Sequence, residues 1–170
     1  MAKINIYTIF LSSWEKKNNP IGCPEDRISL PVWRTKGWNA YQENYQKEER
    51  KLLTAEEFQK ILRNKYWNVC KADQISCQSV ANLLVDFYWI NGSPAISCMQ
   101  DVLGLPETGD MDDETIHKIN GYEYQGRLFA LYWAARKQYN QKVRIVTKID
   151  SPEMDRLRAV SWGYLVKGDN

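Results

Sequence analysis

Between Ser79 and Ile90 the chain is apolar at nearly every position, and only Ser79, Asn82 and Asp86 interrupt the run. A helix that is hydrophobic nearly all round is a buried one. Its three polar residues are spaced three and four apart, so they form a single stripe along the rod. A buried amide or carboxylate is costly unless it is hydrogen-bonded. Asn82 and Asp86 therefore either pin neighbouring segments to this central helix or line a cleft.

Other segments show one apolar face each. Tyr7, Phe10, Leu11 and Trp14 predict a helix from Ile4 to about Trp14, with Glu15 at its C-terminal end. Thr54 followed by Glu57 is a capping box, and Phe58, Ile61, Leu62 and Tyr66 carry that helix to about Trp67. Ser93-Pro94 reads as a cap and first-turn proline, with Ile96, Met99 and Leu103 running on to Gly104. Asp113 to Asn120, closed by Gly121, and Tyr122 to about Gln141 are two further helices. Val143 to Ile149 suits either a strand or a continuation of the helix. Ser151-Pro152-Glu153 opens a last helix carrying Leu157, Val160 and Trp162. Residues 16–50 are broken by Asn18-Asn19-Pro20, Gly22, Pro24, Pro31 and Gly37, leaving a short strand over Ile28 to Trp33 that Pro31 confines to an edge. The predicted class is mainly α, in one domain around the buried helix.

Charge and composition remove several functions. The 170 residues hold 23 basic and 21 acidic side chains, a net charge of +2 with no long block of one sign, so nucleic acid is not an expected partner. Cys23, Cys70, Cys77 and Cys98 lie too far apart for a metal knuckle and read as buried thiols; the single histidine, His117, builds no zinc site alone. No metal or cofactor is expected. No segment reaches the length of apolar sequence a membrane helix needs. The first residues, with Asn5 and Thr8 interrupting a short apolar run, do not read as a signal peptide, and we expect a monomer without membrane insertion.

Candidate chemistry lies in two places. Glu15 ends a helix beside Trp14; the negative helix terminus and the apolar ring favour a protonated carboxyl, which can act as a general acid, while Lys16 and Lys17 oppose that. The irregular stretch holds Glu25, Asp26 and Ser29 together with Trp33, Trp38, Tyr41 and Tyr45. Such rings suit either stacking on sugars or a satellite core.

The segment Tyr66-Trp67-Asn68-Val69-Cys70-Lys71-Ala72-Asp73-Gln74-Ile75, followed by Gln78 to Asp86, resembles the signature of glycoside hydrolase family 108, the lysozyme-like N-acetylmuramidases found in phages and bacteria. Gln100-Asp101-Val102-Leu103-Gly104-Leu105 and Gly109-Asp110-Met111-Asp112-Asp113-Glu114-Thr115 resemble later motifs of that family, so the likeness spans about residues 54–140. It implies a lysozyme-like fold with a catalytic-type lobe over residues 1–92 and a helical, peptidoglycan-associated lobe over 93–170. It also implies hydrolysis of peptidoglycan at the cell wall or periplasm. Trp14-Glu15 stands where the family has its catalytic glutamate, making Glu15 the implied acid. The family's glycine-rich loop is replaced by Lys16-Lys17-Asn18-Asn19-Pro20, and Ser29 takes the place of a threonine.

Glycan cleavage needs an acid for the leaving oxygen and a second group that places water or stabilises the oxocarbenium-like transition state. On this reading Glu15 is the acid, Asp26 the stabiliser or base, and Ser29 holds the attacking water. Trp33, Tyr66, Trp67, Asn82 and Asp86 bind substrate, in a cleft between the Glu15 region and the central helix. The alternative is a catalytically weakened relative that binds peptidoglycan or serves as a scaffold in a phage or secretion apparatus.

Overall fold

The computed structural model describes residues 1–18, 26–42, 49–147 and 153–165. Helices dominate, and the described chain forms two compact units, one from Lys3 to Val69 and one from Met1–Ala2 together with the segment from Cys70 on. The contact boundary falls after Val69; the lobes expected from the sequence, 1–92 and 93–170, are a separate division. The central helix packs on the helices that follow it, and this places it in the second unit.

The first unit begins with α1 (Ile4–Asn18), which buries Tyr7 and Leu11 completely. It runs a turn beyond the predicted end at Trp14, with Glu15 in its last turn, at the C-terminal end as expected. Lys16 and Lys17 share that turn, where cations complement the helix dipole. Strand β1 (Ile28–Pro31) pairs antiparallel with β2 (Arg50–Leu53), and the two-stranded sheet is all edge, which is why Pro31 is tolerated at its end. The chain between them makes α2 (Val32–Lys36) and α3 (Trp38–Gln42), separated by Gly37 at φ 92°. The predicted capping box is present at α4 (Ala55–Leu62): the Glu57 amide donates to Thr54 Oγ1 at 3.2 Å and the Thr54 amide to the Glu57 carboxylate at 2.9 Å. Past Leu62 the expected regular helix gives way to a π-turn over Arg63–Trp67, in which the Asn68 amide reaches back to the Arg63 carbonyl. This wide turn leaves two consecutive side chains, Tyr66 and Trp67, both fully buried.

In the second unit α5 (Gln78–Asn91) buries every residue from Ser79 to Trp89. Gly92, at φ 71°, ends it, and α6 (Pro94–Val102) starts at once. Ser93 is not the cap its position predicted: its backbone is already helical and its hydroxyl makes no capping bond. A cap is found at α7 (Asp113–Gly121), where the Asp112 carboxylate accepts from the Thr115 amide at 2.7 Å. α8 (Gln125–Thr147) starts later than expected because Gln125 Nε2 donates to the carbonyls of Ile119 and Tyr122, closing α7 and holding the link between the helices. The helix continues through Val143 to Thr147, and the rest of the segment expected as strand or helix, Lys148 and Ile149, lies outside the described residues. After α9 (Glu153–Ala159) the chain turns through Gly163 into a small antiparallel pair, β3 (Val160–Ser161) and β4 (Tyr164–Leu165). Val160 and Trp162 therefore leave the last helix, and the Gly163 amide donates to Ser79 Oγ at 2.9 Å.

The polar stripe of α5 has its partners within this unit. Ser79 holds the β3–β4 turn, and Asn82 Oδ1 accepts from Gln78 Nε2 at 2.7 Å. Asp86, with no exposed surface, meets Arg156 of α9 at 2.7 Å and Arg136 of α8 at 2.8 Å. Phe87 completes the contact with α8 through the rings of Tyr132 and Tyr139. No described helix is long and apolar enough to cross a membrane. Cys70, Cys77 and Cys98 are free thiols; burial pushes Cys70 far above the usual thiol range and Cys98 up to about 11, while Cys23 lies outside the described residues.

Candidate active site

The first unit gathers Glu15, Asp26, Ser29, Trp33, Tyr66 and Trp67, whereas Asn82 and Asp86 belong to the second. Glu15 is half-buried on the last turn of α1, next to Trp14, whose ring lies 6.0 Å from that of Phe10. The alternation that buries Tyr7, Phe10 and Leu11 is what fixes the rotation of α1 and hence the side on which Glu15 emerges. Glu25 lies outside the described residues. Asp26 is 76% exposed and pairs with Arg27 Nε at 3.4 Å, an exposed pair that holds its carboxylate only loosely.

Ser29 stands in the middle of β1 with 8% exposure. Its hydroxyl oxygen accepts from Arg50 Nε at 2.8 Å and its carbonyl from Arg50 Nη2 at 2.9 Å. Arg50 pairs with Pro31 across the sheet, so it lies diagonal to Ser29, within reach of a long side chain. This two-point grip fixes the serine hydroxyl. It was not read from the sequence, because the pairing register that creates it joins segments 21 residues apart.

Tyr66 and Trp67 have no exposed surface and act as framework. The Tyr66 hydroxyl donates to the Arg34 carbonyl at 2.7 Å, tying α2 to the π-turn, and the Trp67 ring stacks 6.4 Å from Tyr7 of α1. Asp86 is likewise held inside its own unit by two arginines, and Asn82 is 5% exposed. Of the residues read as substrate-binding, Trp33 has the nearest access to solvent, through the partly exposed rings packed on it.

A cavity of about 390 Å³ lies elsewhere, lined by Val102, Leu103, His117 and Tyr122 in the second unit, and one of about 310 Å³ borders Glu56 and Lys60 of α4 and Arg63 of the π-turn. Among the described residues no group of three or more His, Cys, Asp or Glu could hold a metal ion.

The sheet carrying Ser29 and Arg50, the aromatic helices between its strands, the π-turn and α5 lie in one continuous stretch of sequence. Residues 28–92 match the family model of glycosyl hydrolase 108. The match overlaps the resemblance read from the sequence over residues 54–92; the stretches Gln100–Leu105 and Gly109–Thr115 lie beyond it, and Glu15 and Asp26 precede it. Among solved structures the chain is similar to that titled "Structure of Brucella abortus SagA", with a TM-score of 0.62 and 22% sequence identity over 75% of this chain and 72% of that one. No curated protein matches the chain significantly. The fold is mainly α, organised around a buried central helix, and is similar to that of the solved neighbour, while the glycosyl hydrolase 108 match takes in less than half of the chain.

Proposed function

We propose that the chain is a peptidoglycan-degrading muramidase of the lysozyme type. The observation that carries this reading is the glycosyl hydrolase 108 match over residues 28–92, joined to a half-buried glutamate at the end of the helix that precedes it. Glu15 donates a proton to the glycosidic oxygen as the bond to the sugar carbon breaks. A water attacks that carbon, and Asp26 stabilises the positive charge or accepts the water's proton. Ser29, gripped by Arg50, orients the water through its hydroxyl. No metal takes part in this scheme, which needs only two oxygen acids and a placed water.

A second reading has one observation in its favour. Asp26 is largely exposed and beside Arg27, and the segment after α1 lacks the glycines of the family pattern, so the second carboxylate is held weakly. A relative so altered would bind peptidoglycan without cutting it. The two readings separate in one experiment: release of soluble fragments from purified peptidoglycan by the wild-type chain and by Glu15→Gln, with pelleting of both on the same material. Release that disappears in Glu15→Gln while pelleting persists supports the muramidase. Pelleting with no release by either chain leaves the binder.

A further inference from the structure

The pairing at Asp86 is unequal. Arg156 grips the carboxylate with two nitrogens, Nε at 3.0 and 3.2 Å and Nη2 at 2.7 Å. Arg136 reaches the same carboxylate through Nη2 at 2.8 Å, while its Nε and Nη1 are buried and meet no hydrogen-bond acceptor. The Arg136 side chain has no exposed surface, and its guanidinium carbon lies 5.3 Å from the centre of the Phe87 ring. One turn further along α8, on the same face, stands Asn140. It is 5% exposed, and neither its Nδ2 nor its Oδ1 has a hydrogen-bond partner. α5, α8 and α9 all belong to the second unit, so the cluster lies inside one body.

Buried donors without acceptors are rare, and on a charged group they are costly. The charges sharpen the problem. Arg136 and Arg156 against Asp86 leave one positive charge in excess among these three groups, and a buried charge is tolerated only when it is paired. A water molecule would satisfy donors but would leave the charge as it is. An acceptor that is itself negative answers both demands.

We propose that Arg136 and Asn140 bind a small inorganic anion of the halide class in the core of the second unit. Arg136 supplies the charge and its free N–H groups, and Asn140 adds the N–H groups of its amide. The class follows from the burial and the charge. Side chains with 0% and 5% exposure leave no approach for a sugar or a peptide, and sulfate would bring two negative charges to an excess of one. The anion completes the ionic contact that ties α8 and α9 to α5, so its effect is on stability. It does not depend on the glycan-hydrolase reading.

The test is urea unfolding of the full chain, freed of halide, in sodium chloride and in sodium gluconate at equal ionic strength. One bound anion lowers the unfolding constant by up to about tenfold for each tenfold rise in chloride, and gluconate, too large to enter, has no such effect. Arg136→Met leaves Asp86 in its pair with Arg156 and is expected to abolish the chloride dependence. Asn140→Leu should weaken it, and Lys142→Met, which removes an exposed cation from the same helix, should leave it intact. Diffraction from wild-type crystals grown in bromide tests the site even where a variant fails to fold: an anomalous bromine peak touching both Arg136 and Asn140 is expected. Equal unfolding constants in chloride and gluconate, a chloride dependence that survives in Arg136→Met, or bromine peaks confined to the protein surface would overturn the proposal. Ordered water alone against the Arg136 guanidinium would overturn it as well.

Discussion

A carboxylate without exposed surface survives in a core only when cations and hydrogen bonds meet it. Asp86 is such a group. Burial pushes its carboxyl up, and the guanidinium groups of Arg156 and Arg136 overcome that, so the net displacement is below the ordinary carboxylate range. Removing the charge leaves two cations behind in the interior. Asp86→Asn should destabilise the fold by about 3–5 kcal/mol, as read from urea unfolding at neutral pH. Because the folded carboxyl is the stronger acid, its contribution is complete above the unfolded range, near pH ~4, and is lost as pH falls through the lower folded value. Wild type should therefore lose more stability than Asp86→Asn on moving from neutral pH to about pH 3; equal losses would show that Asp86 is not the responsible group. At the proposed site, Arg50→Met should lower kcat for peptidoglycan more than it raises KM, since Arg50 fixes the Ser29 hydroxyl to which the water is assigned.

Among the elements, the connection from α6 to α7 shows how one side chain replaces regular structure. Gln100, 1% exposed, donates through Nε2 to Thr108 Oγ1, the Asp110 carbonyl and Thr115 Oγ1, and its Oε1 accepts from the Gly109 amide. Gly109 has φ +75°, and an added Cβ would stand 3.3 Å from Ser97 Oγ, so the turn admits no larger residue without strain. Gln100→Ala should cost about 2–3 kcal/mol and speed hydrogen exchange at the Gly109 amide; unchanged exchange there would contradict this account of the loop. Thr54→Ala, which removes half of the capping box, should cost about 1 kcal/mol in the same unfolding assay. The capping box, the buried α5 and its polar stripe were legible because their signals are local: a spacing of three, or a run of apolar residues. The family likeness was legible in the same way, from Tyr66 to Asp86. What was not legible depends on distance along the chain. Asp86 finds a partner 70 residues later in Arg156, and Ser29 is fixed by an arginine that only the β1–β2 register brings near. The π-turn hid because Tyr66 and Trp67 also fit a regular helical stripe.

For the molecule as a whole, the described chain divides after Val69 into two units with different contents. The unit from Cys70 on is held by α5 and its Asp86 latch. The unit from Lys3 to Val69 holds the candidate acid, the Ser29–Arg50 pair and the packed rings of Trp38 and Tyr41. On the proposed reading, the chemistry lies on the part with short elements and a two-stranded sheet. The glycosyl hydrolase 108 match begins at residue 28, so it takes in Ser29 and the aromatic rings of this unit and leaves out Glu15, whose proposed role draws on its place in α1. The most direct measurement is the identity of new reducing ends after purified peptidoglycan is incubated with the wild-type chain and reduced with borohydride. Muramidase cleavage predicts that N-acetylmuramic acid is the sugar converted to its alditol, in amounts that rise with time. An absence of new reducing ends, or their appearance on N-acetylglucosamine, would contradict it.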